Sequence, residues 1–127
     1  MEHDPELVKE AERRIAQVRK ALGKVPVVNQ VLSERPDLFI ANFDTSSSIF
    51  DGEKVLDHKT KHLLALSAAV AYGSPYCIRA QMEDAIMFGA TRDEILETLQ
   101  IAAYMGITRA QSNAFRVFAD VFDKKLE

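Results

Sequence analysis

Apolar residues recur at helical spacing along almost the whole chain, and polar caps, prolines and glycines punctuate them. Asp4-Pro5 reads as an N-cap followed by proline at the first helical position. Leu7, Val8, Ala11, Ile15, Val18 and Leu22 then form one stripe, and Gly23 supplies a left-handed stop. Lys9, Glu12, Arg13 and Lys20 occupy the opposite, water-facing side. From Lys24 to Arg35 the pattern is less regular. Pro26 and Pro36 mark breaks, with room for a short helix holding Val27, Val28, Val31 and Leu32. The next helix is expected from Pro36 to about Phe50, with Leu38, Phe39, Phe43 and Phe50 available to a core. Ser46, Ser47 and Ser48 weaken it, and Asp51-Gly52 reads as a turn.

Asp57 caps a helix expected over His58 to about Tyr72. Leu63 to Leu66 and Ala68 to Ala71 leave it almost no polar face beyond its first turn. A helix apolar all round must be surrounded by its own domain or by a neighbouring subunit. Gly73 ends it, and Ser74-Pro75 opens the next helix, with Ile78, Met82, Ala85 and Ile86 buried. Gly89 closes that one. Thr91-Arg92-Asp93-Glu94 is a capping box, followed by Ile95, Leu96, Leu99 and Ala102 at core spacing. Gly106 is read as another stop. Thr108-Arg109-Ala110-Gln111 is read as a second capping box, opening a last helix with Ala114, Val117, Phe118, Val121 and Phe122 inward. No strand pattern and no internal repeat is present. The expected fold class is therefore all-α, a compact bundle of about six helices with short connections.

Composition narrows the class. The chain has 127 residues, one domain's worth, so residues 1–127 are read as a single domain with a core over 36–122 and an N-terminal helix over 5–22. Hydrophobic residues make up 47% and charged residues 28%, which argues against disorder. The net charge of -3 offers no electrostatic footprint for nucleic acid. No apolar run reaches the length of a membrane span, and the acidic start Met1-Glu2-His3-Asp4-Pro5 does not resemble a signal peptide. A single cysteine rules out an intrachain disulfide framework and suits a reducing compartment, so a cytoplasmic protein is expected.

That cysteine is also the strongest candidate for chemistry. If Ser74 is the N-cap, Cys77 falls in the first helical turn, where unpaired amides and the helix dipole favour a thiolate. Ser74, Cys77 and Gln81 stand at i, i+3 and i+7, so a hydroxyl, a sulfur and an amide share one stripe. A buried cysteine behaving as a small hydrophobe beside Ile78 is the plainer alternative. His58 and His62 have the i, i+4 spacing of a zinc pair. The intervening Lys59, Thr60 and Lys61 supply no glutamate and two repelling cations, so no metal site is expected. The glycines are isolated stops, not a phosphate-cradling loop.

Three segments in order carry a resemblance: Lys59-Thr60-Lys61-His62-Leu63-Leu64-Ala65-Leu66, then Tyr76-Cys77-Ile78-Arg79-Ala80-Gln81, then Gly89-Ala90-Thr91-Arg92-Asp93-Glu94-Ile95. Together they resemble the carboxymuconolactone decarboxylase family, which includes the alkylhydroperoxidase D-like (AhpD-like) proteins. The resemblance implies an all-α fold assembling as homo-oligomers, trimers or hexamers. The peroxidase branch has the active-site pattern Glu-x11-Cys-x2-Cys-x3-His. Laid on this chain, the second cysteine falls on Cys77, the first on Ser74, the glutamate on His62 and the histidine on Gln81. An internal disulfide cannot form with one cysteine, so the two-cysteine cycle is excluded.

What the resemblance then implies is a one-cysteine variant. Cys77 reduces a peroxide and becomes a sulfenic acid, an external thiol clears it, and His62 serves as the base. No cofactor is called for; the expected partners are a small-molecule substrate and further copies of the chain, with neither nucleic acid nor membrane. A second reading is a lyase acting on a carboxylated lactone, drawing on His62, Arg79 and Gln81 to bind an anion. A third is a non-catalytic scaffold.

Overall fold

A computed structural model describes residues 2–123 and 125. Among them are six helices and no strand: α1 (Pro5–Leu22), α2 (Val27–Leu32), α3 (Pro36–Phe50), α4 (His58–Tyr72), α5 (Pro75–Met87) and α6 (Arg92–Val121). No helix among the described residues is long and apolar enough to cross a membrane. The chain forms two compact units, Met1–Asp51 and Gly52–Glu127.

Capping chemistry sets the ends of α1. The Asp4 carboxylate accepts from the Glu6 N–H at 2.9 Å, and Gly23 closes the helix in the left-handed region at φ 75°. In this first unit α1 and α2 both pack against α3. Phe39 is fully enclosed there and meets Phe43 at a centroid distance of 5.8 Å. Arg14 ties α1 to α3. Its guanidinium reaches Glu10 at 2.8 Å and Asp44 at 2.5 Å, and lies 5.1 Å from the Phe43 ring centre. The three serines do not break α3, because Ser48 hands its hydroxyl proton back to the Thr45 carbonyl at 2.7 Å and stays helical. Leu38, expected in the core, is exposed: it lies about 100° round the helix from Phe39, which takes the inward place.

In the second unit α4 packs against α5 and α6. Leu66, Ala85, Ala90 and Ile95 form the buried centre, flanked by Leu63, Val70, Ile78, Met82 and Leu99. Asp57 accepts from the Thr60 N–H at 2.7 Å, and this backbone donor holds its carboxyl below the ordinary carboxylate range. Lys59 reaches Glu94 at 2.8 Å, pinning the start of α4 to the start of α6. Glu94 also completes the capping box: Thr91 and Glu94 exchange side-chain and backbone bonds at 3.1 and 2.9 Å. Although α4 is apolar nearly all round, Leu64, Ala68 and Tyr72 are exposed within the chain.

The last third of the chain departs from the sequence reading. Gly106 does not end a helix. Gly23, Gly52, Gly73 and Gly89 adopt positive φ, whereas Gly106 lies inside α6, a 30-residue rod roughly 45 Å long. Thr108 is not an N-cap; its hydroxyl donates to the Met105 carbonyl at 3.0 Å, the back-bond of a residue already in a helix. An interior glycine costs only about 1 kcal/mol, less than severing the intrahelical bonds that cross it. Nor do the expected inward residues of this segment turn inward. Val117, Phe118, Val121 and Phe122 are all more than half exposed, and in this stretch of α6 Ala119 is the buried hydrophobe.

Candidate active site

The connection between α4 and α5 is two residues long, and it places the candidate side chains. Gly73 turns left-handed at φ 71°, and the Ser74 N–H reaches back to the Ala69 carbonyl at 3.2 Å. Pro75 then fixes the first helical position of α5. Ser74 occupies the N-cap position with extended backbone, but its side chain makes no capping bond. The capping role expected of its hydroxyl is therefore not realised. The first bond of the α5 ladder runs from the Ile78 N–H to the Ser74 carbonyl at 2.9 Å. The amides of Tyr76 and Cys77 lie ahead of that ladder, at the positive end of the helix. Cys77 is exposed to solvent, which sets aside its reading as a sealed core residue.

From Cys77 one stripe of α5 runs towards α4. Its members are Ser74, Cys77, Gln81, Asp84 and Phe88, alternating steps of three and four. The adjoining stripe, Ile78, Met82 and Ala85, belongs to the apolar centre. Opposite Gln81 stands His62 of α4, a buried polar residue only 6% exposed. Its Nδ1 lies 2.8 Å from Gln81 Oε1 and 3.8 Å from Asp84 Oδ2. The Phe88 ring stacks on His62 at 5.2 Å with planes 2° apart, and on His58 at 4.4 Å and 10°. His58 Nδ1 is buried without a hydrogen-bond partner.

The structure thus brings His62 and Gln81 into direct contact and sets Cys77 one helical turn before Gln81, with Cβ atoms about 6 Å apart by helix geometry. Ser74 lies one turn further on, at the helix mouth. Asp84 and Phe88 were missed in the sequence. The signal was available, since they continue the Ser74–Cys77–Gln81 stripe by the same period. Among the described residues no group of three or more His, Cys, Asp or Glu side chains is arranged to hold a metal ion. On the other side of α4, a groove of about 200 Å³ between Leu63, Leu64 and Ile101 carries only the hydroxyls of Thr60, Ser67 and Thr98.

Comparison with known proteins places the chain by family and fold. The family model described as the carboxymuconolactone decarboxylase family matches residues 36–120, from the start of α3 nearly to the end of α6. The chain belongs to the carboxymuconolactone decarboxylase family. An alkylhydroperoxidase AhpD core from Rhodospirillum rubrum has a similar solved structure, with a TM-score of 0.63 and 22% identity over 97% of this chain and 85% of that one. That likeness concerns the fold. A protein from Paracoccus denitrificans described as uncharacterized protein 4 in the cox locus is 32% identical over 73 residues. The match takes in 58% of this chain and 66% of that protein, just under two thirds of its length.

Proposed function

We propose that this chain is a single-cysteine thiol peroxidase. The observation that carries the reading is an exposed cysteine in the first turn of α5, on the same stripe as the Gln81 amide that contacts a buried histidine. In the proposed cycle His62 takes the proton of the Cys77 thiol. The thiolate attacks the terminal peroxide oxygen, the O–O bond breaks, and the departing alkoxide receives the proton. The products are a sulfenic acid at Cys77 and one molecule of alcohol, or of water when the substrate is hydrogen peroxide. An external thiol condenses with the sulfenic acid, releasing water and leaving a mixed disulfide. A second thiol frees Cys77 and departs as a disulfide. Ser74, one helical turn before Cys77 and with no capping bond to its hydroxyl, bonds the incoming peroxide in this cycle.

The lyase alternative has less support. It called on Arg79 as the cation for a carboxylated substrate, but Arg79 stands two residues from Gln81, on the far side of α5, and faces Glu83 at 3.6 Å. Assembly into homo-oligomers belongs to the proposal too, trimeric or hexameric as the resemblance implies. Its support is the apolar surface at the end of α6, where Phe115, Val117, Phe118 and Val121 are exposed together with Phe122 just beyond the helix.

The deciding assay follows consumption of hydrogen peroxide and of an organic hydroperoxide in the presence of a dithiol. Turnover is expected in the native chain and loss of at least tenfold in Cys77→Ser. Equal turnover in the two proteins overturns the reading.

A further inference from the structure

The contacts of His62 say more than that it is buried. A neutral imidazole carries its proton on one nitrogen and a lone pair on the other, and its partners decide which. An amide side chain can present either its oxygen or its NH2 group, so Gln81 alone leaves the choice open. The Asp84 carboxylate closes it. With Oδ2 3.8 Å from Nδ1, a lone pair on Nδ1 would face a negative charge, whereas an N–H there would face two acceptors. The Phe88 ring, 2° from parallel, opposes rotation of the imidazole out of this plane.

We propose that Gln81, with Asp84 behind it, is a positioning residue that holds His62 as its Nδ1–H tautomer and makes Nε2 the accepting nitrogen. Neutral histidine in water favours the opposite tautomer, so the site inverts a solution preference. The inference deepens the peroxidase reading, which requires His62 to accept a proton: it names the nitrogen that keeps the lone pair and the residues that hold the proton on the other one. In the family pattern the histidine stands at the position Gln81 fills here. In this chain the imidazole has crossed to α4, and the amide orients it from α5.

The test is a long-range proton–nitrogen correlation spectrum of histidine-labelled protein, recorded well above the usual imidazole titration range. The His62 signals are assigned by their absence from His62→Asn. The expected native pattern is a protonated Nδ1 and an unprotonated Nε2. Gln81→Met, close in shape but lacking the amide oxygen, should lose that pattern in favour of Nε2–H or a mixture. Gln81→Glu, which keeps an oxygen at the same reach, should restore it. A native spectrum dominated by Nε2–H overturns the proposal, as does a pattern unchanged in Gln81→Met. Should Gln81→Met fail to fold by circular dichroism, the native spectrum together with Asp84→Asn decides. None of these spectra depends on Cys77 reacting with peroxide, so failure of the tautomer and failure of the thiol chemistry are read separately.

Discussion

Replacing Leu66 by alanine probes the joint on which the candidate site rests. Leu66 is one helical turn after His62 on α4 and is fully buried, in contact with residues contributed by α5, α6 and the segment between them. Truncation removes three carbons and leaves a void, whose penalty grows by about 24 cal/mol per Å³ of unrelaxed cavity. Two of its neighbours, Ala85 and Ala90, have no side chain to swing into the gap, while Met82 is flexible enough to fill part of it. Those limits put the loss at about 3 kcal/mol, inside the usual range of 2–5 kcal/mol for buried Leu→Ala. With a urea slope of about 1.5 kcal/mol per molar, the midpoint should fall by roughly 2 M. The control is Leu64→Ala, the same chemistry two residues earlier, where the side chain is 55% exposed and the expected change is under about 1 kcal/mol. Both proteins are to be unfolded at two or more concentrations, since any self-association contributes stability that varies with dilution. Equal losses at positions 64 and 66 at every concentration would refute the assignment of Leu66 to the centre of the second unit.

Two further outcomes follow from named contacts. Gly106 sits inside α6 without positive φ, and a methyl group added there meets nothing within 4 Å. Gly106→Ala should therefore raise stability by up to about 1 kcal/mol, visible as a higher melting temperature. The same change at Gly89, where φ is 94°, should lower it. Hydrogen bonds from Arg13 first and Arg14 second pull the Glu10 carboxyl from its ordinary 4.5 to about 2. Because the folded value is the lower one, the stabilisation is present above about 4.5 and fades as pH falls towards about 2. Glu10→Gln should remove that pH dependence, and added salt should shrink it, since the group is at the surface. Parallel native and variant stability profiles through this acid range would show the reasoning wrong.

The legible part of the fold was the part written in local capping chemistry. Asp4, Asp57 and Thr91 start helices because each carboxylate or hydroxyl satisfies an amide that the helix leaves unpaired, and this needs no distant partner. Gly23 and Gly73 stop helices for a similarly local reason, their left-handed φ. Gly106 and Thr108 carry the same letters without the same role. A glycine is a stop only where the chain must turn, and a threonine caps only where its own backbone is extended, as at Thr91. Nothing in the letters themselves distinguishes these cases; at Gly106 the intrahelical bonds that cross the glycine outweigh its cost, and the helix runs on. The inward-facing assignment of Val117, Phe118, Val121 and Phe122 failed for a related reason. Helical spacing identifies an apolar face, but it does not say whether that face meets the same chain or another molecule.

The site divides along the same line. Cys77 at a helix start and the stripe through Gln81 were visible, because both follow from the period of a single helix. The burial of His62 was not, since its place in the first two turns of a capped helix reads equally well as wet. Asp84 of α5 and Phe88 just past its end close over His62 from sequence positions 22 or more residues away. This argues for reading α4 and α5 as one chemical unit rather than two amphipathic rods. An exposed sulfur by itself has no defined proton acceptor, and a buried histidine by itself has no reactant. The two-residue turn at Gly73-Ser74 folds α5 back on α4, so that a single stripe presents the Cys77 sulfur to solvent and the Gln81 amide to His62. A variant with that turn lengthened by two flexible residues should keep helices α4 and α5 in far-ultraviolet circular dichroism yet lose the parallel stacking of His62 on Phe88. The upfield ring-current shift of the His62 protons reports that stacking directly. Its persistence in the lengthened variant would mean that the short turn is not what aligns the two stripes.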